Sequence, residues 1–188
     1  MFNRLVLPVG TRDHVQGYEH APVTLVEYGD YQCSYCGAAY PIVKQLQSLY
    51  PAELRLVFRN FPLREVHARA QTAAEAAEAA GAQGRFWEMH DLLFENQADL
   101  SEAALVGYGR SVLEDPVRWL ADLRRRAFRS RVQQDFLSGV QSGVTGTPTF
   151  YVNGIRHEGP FDLDSLAAAV EAARLNPPSV AGHAPGFS

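Results

Sequence analysis

A chain of 188 residues, 46% hydrophobic and 20% charged, is long enough to bury the core of one domain with room for an insertion. Its formal net charge of −4 gives no sign of nucleic-acid binding as a property of the whole surface, and two cysteines are too few to staple a small secreted fold. From Met1 to Pro8 the apolar run is too short for a secretory leader, which needs roughly 7–15 apolar residues, or for a membrane helix, which needs about 18, so the expected location is cytoplasmic, or periplasmic or otherwise extracytoplasmic if a leader was removed.

In chain order, Leu5 to Val9 reads as a short edge strand stopped by Pro8 and Gly10, and Thr11 to Pro22 as polar and turn-prone. Ala21-Pro22 delivers an extended chain into Val23–Tyr28, whose β-branched and aromatic residues mark a strand. Ala39, Ile42, Val43, Leu46, Leu49 and Tyr50 then recur at the spacing of one helix face, so a helix runs to about Tyr50 and Pro51 ends it. Pro41 inside that helix deletes the bond to the Gly37 carbonyl. Leu54–Arg59 is the next strand, closed by Asn60-Phe61-Pro62.

From Leu63 to about Val144 the chain becomes alanine-rich and helical. Glu65–Ala80 carries Ala70, Ala73, Ala74 and Ala77 on one stripe, ended by Gly81 and Gly84, and Phe86–Phe94 is a second, strongly apolar helix. Ser101-Glu102 and Asp115-Pro116 have the residue types that start helices. Arg129 to Gly143 places Val132, Phe136 and Val140 on one face. Thr149–Val152, the turn Asn153-Gly154 and Ile155–His157 spell a two-residue β-hairpin. Asp162 caps a last helix, and the stretch from Asn176 onward, proline-containing and without periodicity, reads as a disordered tail. The order implies an α/β fold: a mixed sheet flanked by helices, built from residues 1–62 and 144–175, with a helical subdomain inserted at 63–143 and a tail at 176–188.

Cys33 and Cys36 bracket Ser34-Tyr35 where the first long strand gives way to its helix. A thiol at a helix N-terminus faces unpaired N–H groups and the positive end of the dipole, both of which favour thiolate. C-x-x-C at such a junction is a redox site. Cys33, nearer the helix start, is the expected nucleophile; Cys36, one turn on and more shielded, is the expected resolving thiol with the higher pKa. Zinc needs four ligands in structural sites, and His14, His20, His67, His90, His157 and His183 are scattered along the chain, so no metal is expected. On alternation alone Glu27 is as much an exposed strand carboxylate as a buried one, and Asp30 reads as a turn residue close to the thiols. Arg124, Arg125, Arg126, Arg129 and Arg131 read as a solvated helix face rather than a nucleic-acid patch.

The strand Val26–Gln32, the Cys33–Cys36 pair, the helical block and Gly143-Val144-Thr145-Gly146-Thr147-Pro148-Thr149-Phe150 together resemble the DsbA-like branch of the thioredoxin superfamily of thiol–disulfide oxidoreductases, over about Pro22 to Arg174. The resemblance implies a thioredoxin-like sheet with an inserted helical subdomain. It implies a cis Pro148 against the disulfide, where base rates alone favour trans. Thr147 would offer its backbone to an extended substrate beside Ser34 and Tyr35. Glu27 would be a buried acid that takes and returns the proton of Cys36. The implied partners are protein or peptide thiols and disulfides and a separate redox partner, with no bound cofactor, no nucleic acid and no membrane insertion.

Many members of that branch carry proline and histidine where this chain has Ser34 and Tyr35, so oxidant strength does not carry over and the direction stays open. A cytoplasmic pair would be kept reduced, and an extracytoplasmic one would oxidise. Two other readings share the architecture: a kappa-type glutathione transferase or isomerase, whose members usually show serine where Cys33 sits, and a peptide-binding or chaperone module with incidental redox chemistry.

Overall fold

The structure is a computed structural model that describes residues 3–176. The tail expected beyond Asn176 lies outside the described residues. In chain order the elements are β1 (His14–Gly17), β2 (Val23–Gly29), α1 (Ser34–Leu49) and β3 (Leu54–Asn60). Five helices follow: α2 (Ala70–Gly81), α3 (Phe86–Glu95), α4 (Glu102–Val112), α5 (Pro116–Arg124) and α6 (Arg129–Gln141). The chain then completes the sheet with β4 (Thr149–Val152) and β5 (Ile155–Arg156) and ends in α7 (Leu163–Leu175). No helix among the described residues is long and apolar enough to cross a membrane.

The five strands form one sheet in the order β1-β3-β2-β4-β5. β2 and β3 are parallel, from Val23↔Leu54 to Gly29↔Asn60, as two strands joined through a helix must be. β4 runs antiparallel to β2, with Glu27 opposite Phe150 and Tyr28 opposite Thr149. Asn153 and Gly154 both take positive φ, 47° and 79°, the backbone that a two-residue hairpin turn demands.

Alternation along β2 sends Val23, Leu25 and Glu27 to one face and Val26 and Tyr28 to the other. The first face meets Ala39, Val43 and Leu46 of α1 and Leu166 and Val170 of α7. The second packs with Val57, Tyr151, Phe61 and Val144, with Phe136 of α6 against it. A third cluster joins the start of α1 to the helical block: Tyr31, Cys33, Cys36 and Phe58 pack with alanines of α2, Met89 and Leu93 of α3 and Trp119 of α5. Small side chains along α2 let these helices approach closely, and the Trp119 indole N–H reaches the Ala76 carbonyl at 3.0 Å. The cysteines are thus built into the same core as the helices that follow β3.

Three sequence expectations change. Leu5–Val9 is not a strand; that segment makes one bridge, Arg4↔Ile155, and the Leu5 N–H donates to the Gly154 carbonyl. The edge strand is β1 instead, inside the stretch read as turn-prone. α2 begins at Ala70 rather than Glu65, because the Leu63 and Arg69 N–H groups donate to the side chains of Asp30 and Gln32 and so hold that segment outside a helix.

Arg59, near the end of β3, is 1% exposed because the sheet is covered on both faces. It pairs with both oxygens of Asp13 at 2.8 and 3.0 Å and donates to the Leu7 and Pro8 carbonyls and the Tyr28 hydroxyl. Removing one partner of such a pair strands the other charge. Asp13→Ala is therefore expected to lower the unfolding free energy by about 3–5 kcal/mol in urea titration; a loss near zero would show the pair to be dispensable.

Candidate active site

The turn between β2 and α1 is organised by Asp30, whose carboxylate is buried. Its Oδ1 accepts from the Gln32 N–H at 2.8 Å, and its Oδ2 accepts from the Leu63 N–H and meets His67 Nδ1, each at 2.8 Å. The Asp30 carbonyl accepts from the Cys33 N–H, and its own N–H points at Cys36 Sγ, 3.4 Å away. From the α3–α4 loop, Gln97 Nε2 donates to the Tyr31 and Cys33 carbonyls at 2.9 and 2.7 Å. Cys33 is thereby delivered as the N-cap residue of α1, and Cys36 lies on its first turn.

Cys33 is 4% exposed and Cys36 fully buried, while Ser34 and Tyr35 face out, Tyr35 at 65%. Cys33 Sγ lies 3.4 Å from the Thr147 carbonyl, and the Thr147–Pro148 peptide bond is cis. The two thiols are driven apart in acidity. A hydrogen bond from the Cys36 thiol holds Cys33 down at about 5, against its burial; the Thr147 side chain and the Cys36 and Tyr35 N–H groups assist. Burial first, then the bond to Cys33 and the charge of Glu27, push Cys36 far above the ordinary thiol range. The pair therefore holds one proton between two sulfurs at neutral pH.

Glu27 is 3% exposed and sits on the sheet face that α1 covers. Its Oε1 has no hydrogen-bond partner. Burial, and secondarily the Cys33 charge, push its carboxyl up to about 8. Cys33, Cys36, Thr147, Pro148 and Glu27 thus converge on one place. Gln97 and His67 belong to the same site and carried no sequence signal, because their partners are brought to them only by the fold. Four of the five arginines in the run are spent elsewhere: Arg124 meets Glu102, Arg125 meets Asp122, Arg126 holds Glu75 through two bonds, and Arg131 meets Asp135 and Glu78.

A family profile described as thioredoxin matches residues 10–172. Among curated proteins the chain is 48% identical over 178 residues to one named Na(+)/H(+) antiporter NhaA 1 from Salinispora arenicola, covering 92% of this chain and 27% of that protein. The chain spans about a quarter of the length of the curated relatives it matches. Among solved structures, oxidised BdbD from Bacillus subtilis superposes with a TM-score of 0.82 at 26% identity, over 90% of this chain and 96% of that one. DsbA2 from Pseudomonas aeruginosa does so with a TM-score of 0.69 at 25% identity, over 88% and 95%. These findings overturn the cytoplasmic placement expected above, since the DsbA-like neighbours are periplasmic or extracytoplasmic. That expectation rested on the first eight residues, and a chain spanning a quarter of its relatives cannot have its compartment read from where it begins.

Proposed function

We propose that this chain, which belongs to the thioredoxin family and within it to the DsbA-like thiol–disulfide oxidoreductases, runs disulfide exchange in the oxidising direction on polypeptide thiols. The observation that carries the direction is the opposed acidity of the two thiols. A Cys33 thiolate held down at about 5 lowers the free energy of the reduced pair, which makes the disulfide state the reactive one and the couple an oxidant.

A substrate thiolate attacks Cys33 Sγ of the Cys33–Cys36 disulfide. The S–S bond breaks with its electron pair on Cys36, and a mixed disulfide forms at Cys33. While Cys33 is bonded to substrate it carries no charge, so one of the causes that raise the Glu27 pKa is absent, and Glu27 gives its proton to Cys36. A second substrate thiolate attacks the substrate sulfur, the substrate disulfide forms, and Cys33 leaves as a thiolate. Its return raises Glu27 again, and Glu27 recovers a proton from solvent. Two electrons have passed from the substrate to the pair; of the two substrate protons, one is matched by the proton gained on Cys36 and the other goes to solvent. A separate oxidant must then restore the Cys33–Cys36 bond.

Thr147 lies within reach of anything bonded to Cys33, so its backbone suits an extended substrate segment, flanked by Ser34 and Tyr35. A groove of about 410 Å³, lined by Phe61, Leu63, Val66, Phe136 and Val140, adjoins Thr145 on the loop leading to Pro148 and offers apolar surface to an unfolded chain.

Equilibrating the protein against glutathione tests the reading, alongside an insulin-reduction assay. The expected result is a pair that cycles, lies far to the dithiol side and reduces insulin slowly. A pair that never cycles overturns the activity. One that stays disulfide against excess glutathione and reduces insulin rapidly overturns the direction.

A further inference from the structure

We infer that Gln97 is a positioning residue for the Cys33–Cys36 couple: its amide, reaching from the α3–α4 loop, sets where the turn before α1 lies and so where the Cys33 sulfur sits against Thr147. The inference rests on the exchange reading above and names the helical block's part in it.

Gln97 Nε2 lies 2.7 Å from the Cys33 carbonyl and 2.9 Å from the Tyr31 carbonyl. Both partners only accept, so the amide must point its NH₂ at them, one hydrogen to each. The Cys33 carbonyl also accepts the Gly37 N–H at 3.0 Å, the first bond of α1. Asp30 and Gln32 are held from the 63–69 segment, but Gln97 is the side chain that grips Cys33 itself.

Gly37 is shaped to this contact. A Cβ at position 37 would stand 2.3 Å from Gln97 Oε1 and 3.0 Å from its Cδ, so any larger residue drives the amide out of its seat. The amide end is the flexible tip of its side chain, so the backbone of α1 need not move when this happens. The Cys33 sulfur is served by the Tyr35 and Cys36 N–H groups, and their aim depends on how the Cys33 backbone is held. Released from Gln97, the N-cap residue can turn, and the thiolate loses alignment with those donors.

Two variants of the full chain test this. Gln97→Ala removes the amide. Gly37→Ala keeps it but displaces it, while adding helix propensity that offsets much of the two lost bonds, so the unfolding midpoint of that variant should stay close to wild type. Both are expected to raise the pH at which the Cys33 thiolate forms by about half a unit or more, and to shift the glutathione equilibrium about threefold or more toward the disulfide. Gln97→Glu, which accepts rather than donates when ionised, should shift it at least as far. Gln97→Ala and Gly37→Ala proteins that titrate and equilibrate as wild type does would overturn the inference. Failure of the exchange reading shows differently, as a wild-type protein that does not cycle.

Discussion

Cys36→Ala is expected to raise the Cys33 pKa from about 5 by roughly 1–2 units, and to stop the reaction half-way. The largest influence holding Cys33 down is the hydrogen bond from Cys36. A hydrogen bond to a charged group contributes about 1.5–3 kcal/mol, and 1.36 kcal/mol is one pKa unit. The burial of Cys33 opposes ionisation and remains after the substitution, so the change has one sign. Cys33 of this variant still attacks a substrate disulfide, but nothing resolves the mixed disulfide, and a stable covalent adduct should accumulate in intact-protein mass spectra. Cys33→Ser removes the attacking sulfur and should give neither adduct nor exchange, because buried Cys36 is held in its thiol form. A Cys36→Ala protein whose Cys33 still titrates near 5 would mean that the backbone donors, not the second sulfur, stabilise the thiolate.

Glu27→Gln carries the second large effect, and its sign follows from the direction of the shift. In the fold the carboxyl is raised from 4.5 to about 8, so its contribution to stability is present below 4.5 and is lost as pH rises through 8. Cys33 of the reduced chain runs the other way. Its folded pKa is depressed from 9.0 to about 5, so its contribution is present above 9 and is lost as pH falls through 5. In the wild-type dithiol the two trends largely offset each other across neutral pH. Glu27→Gln removes the first, and urea titrations of the reduced variant should show stability climbing from pH 5 to 9, with a gain over wild type on the order of 3 kcal/mol at pH 7. The same change should slow proton transfer at Cys36 by about a hundredfold and alter the pH profile of exchange. A variant with the wild-type profile would remove Glu27 from the mechanism.

What the sequence disclosed was whatever depends on neighbours along the chain. β2 and β3 show in their β-branched runs, the hairpin shows in Asn153-Gly154, and Ser101, Asp115 and Asp162 each cap a helix with a side-chain oxygen. The redox pair shows because a strand and a helix meet at it. β1 did not show: His14–Gly17 is short and polar, and becomes a strand only because β3 offers it an edge and Arg59 fixes the preceding loop through Asp13. The burial of Arg59 did not show either, because alternation cannot reveal that both faces of a sheet are covered. Gln97 was invisible for a related reason. A glutamine in a loop acquires meaning only when the fold presents two carbonyls and the bare face of Gly37 to it.

The central claim, that Cys33 is a thiolate at neutral pH beside a protonated Cys36, is tested most directly by following the ultraviolet absorbance of thiolate in the reduced chain as pH is raised. The expected trace shows one thiolate per chain appearing with a midpoint near pH 5 and the second sulfur silent through the neutral range. A chain with no thiolate until the ordinary thiol value of 9.0 is approached would contradict it.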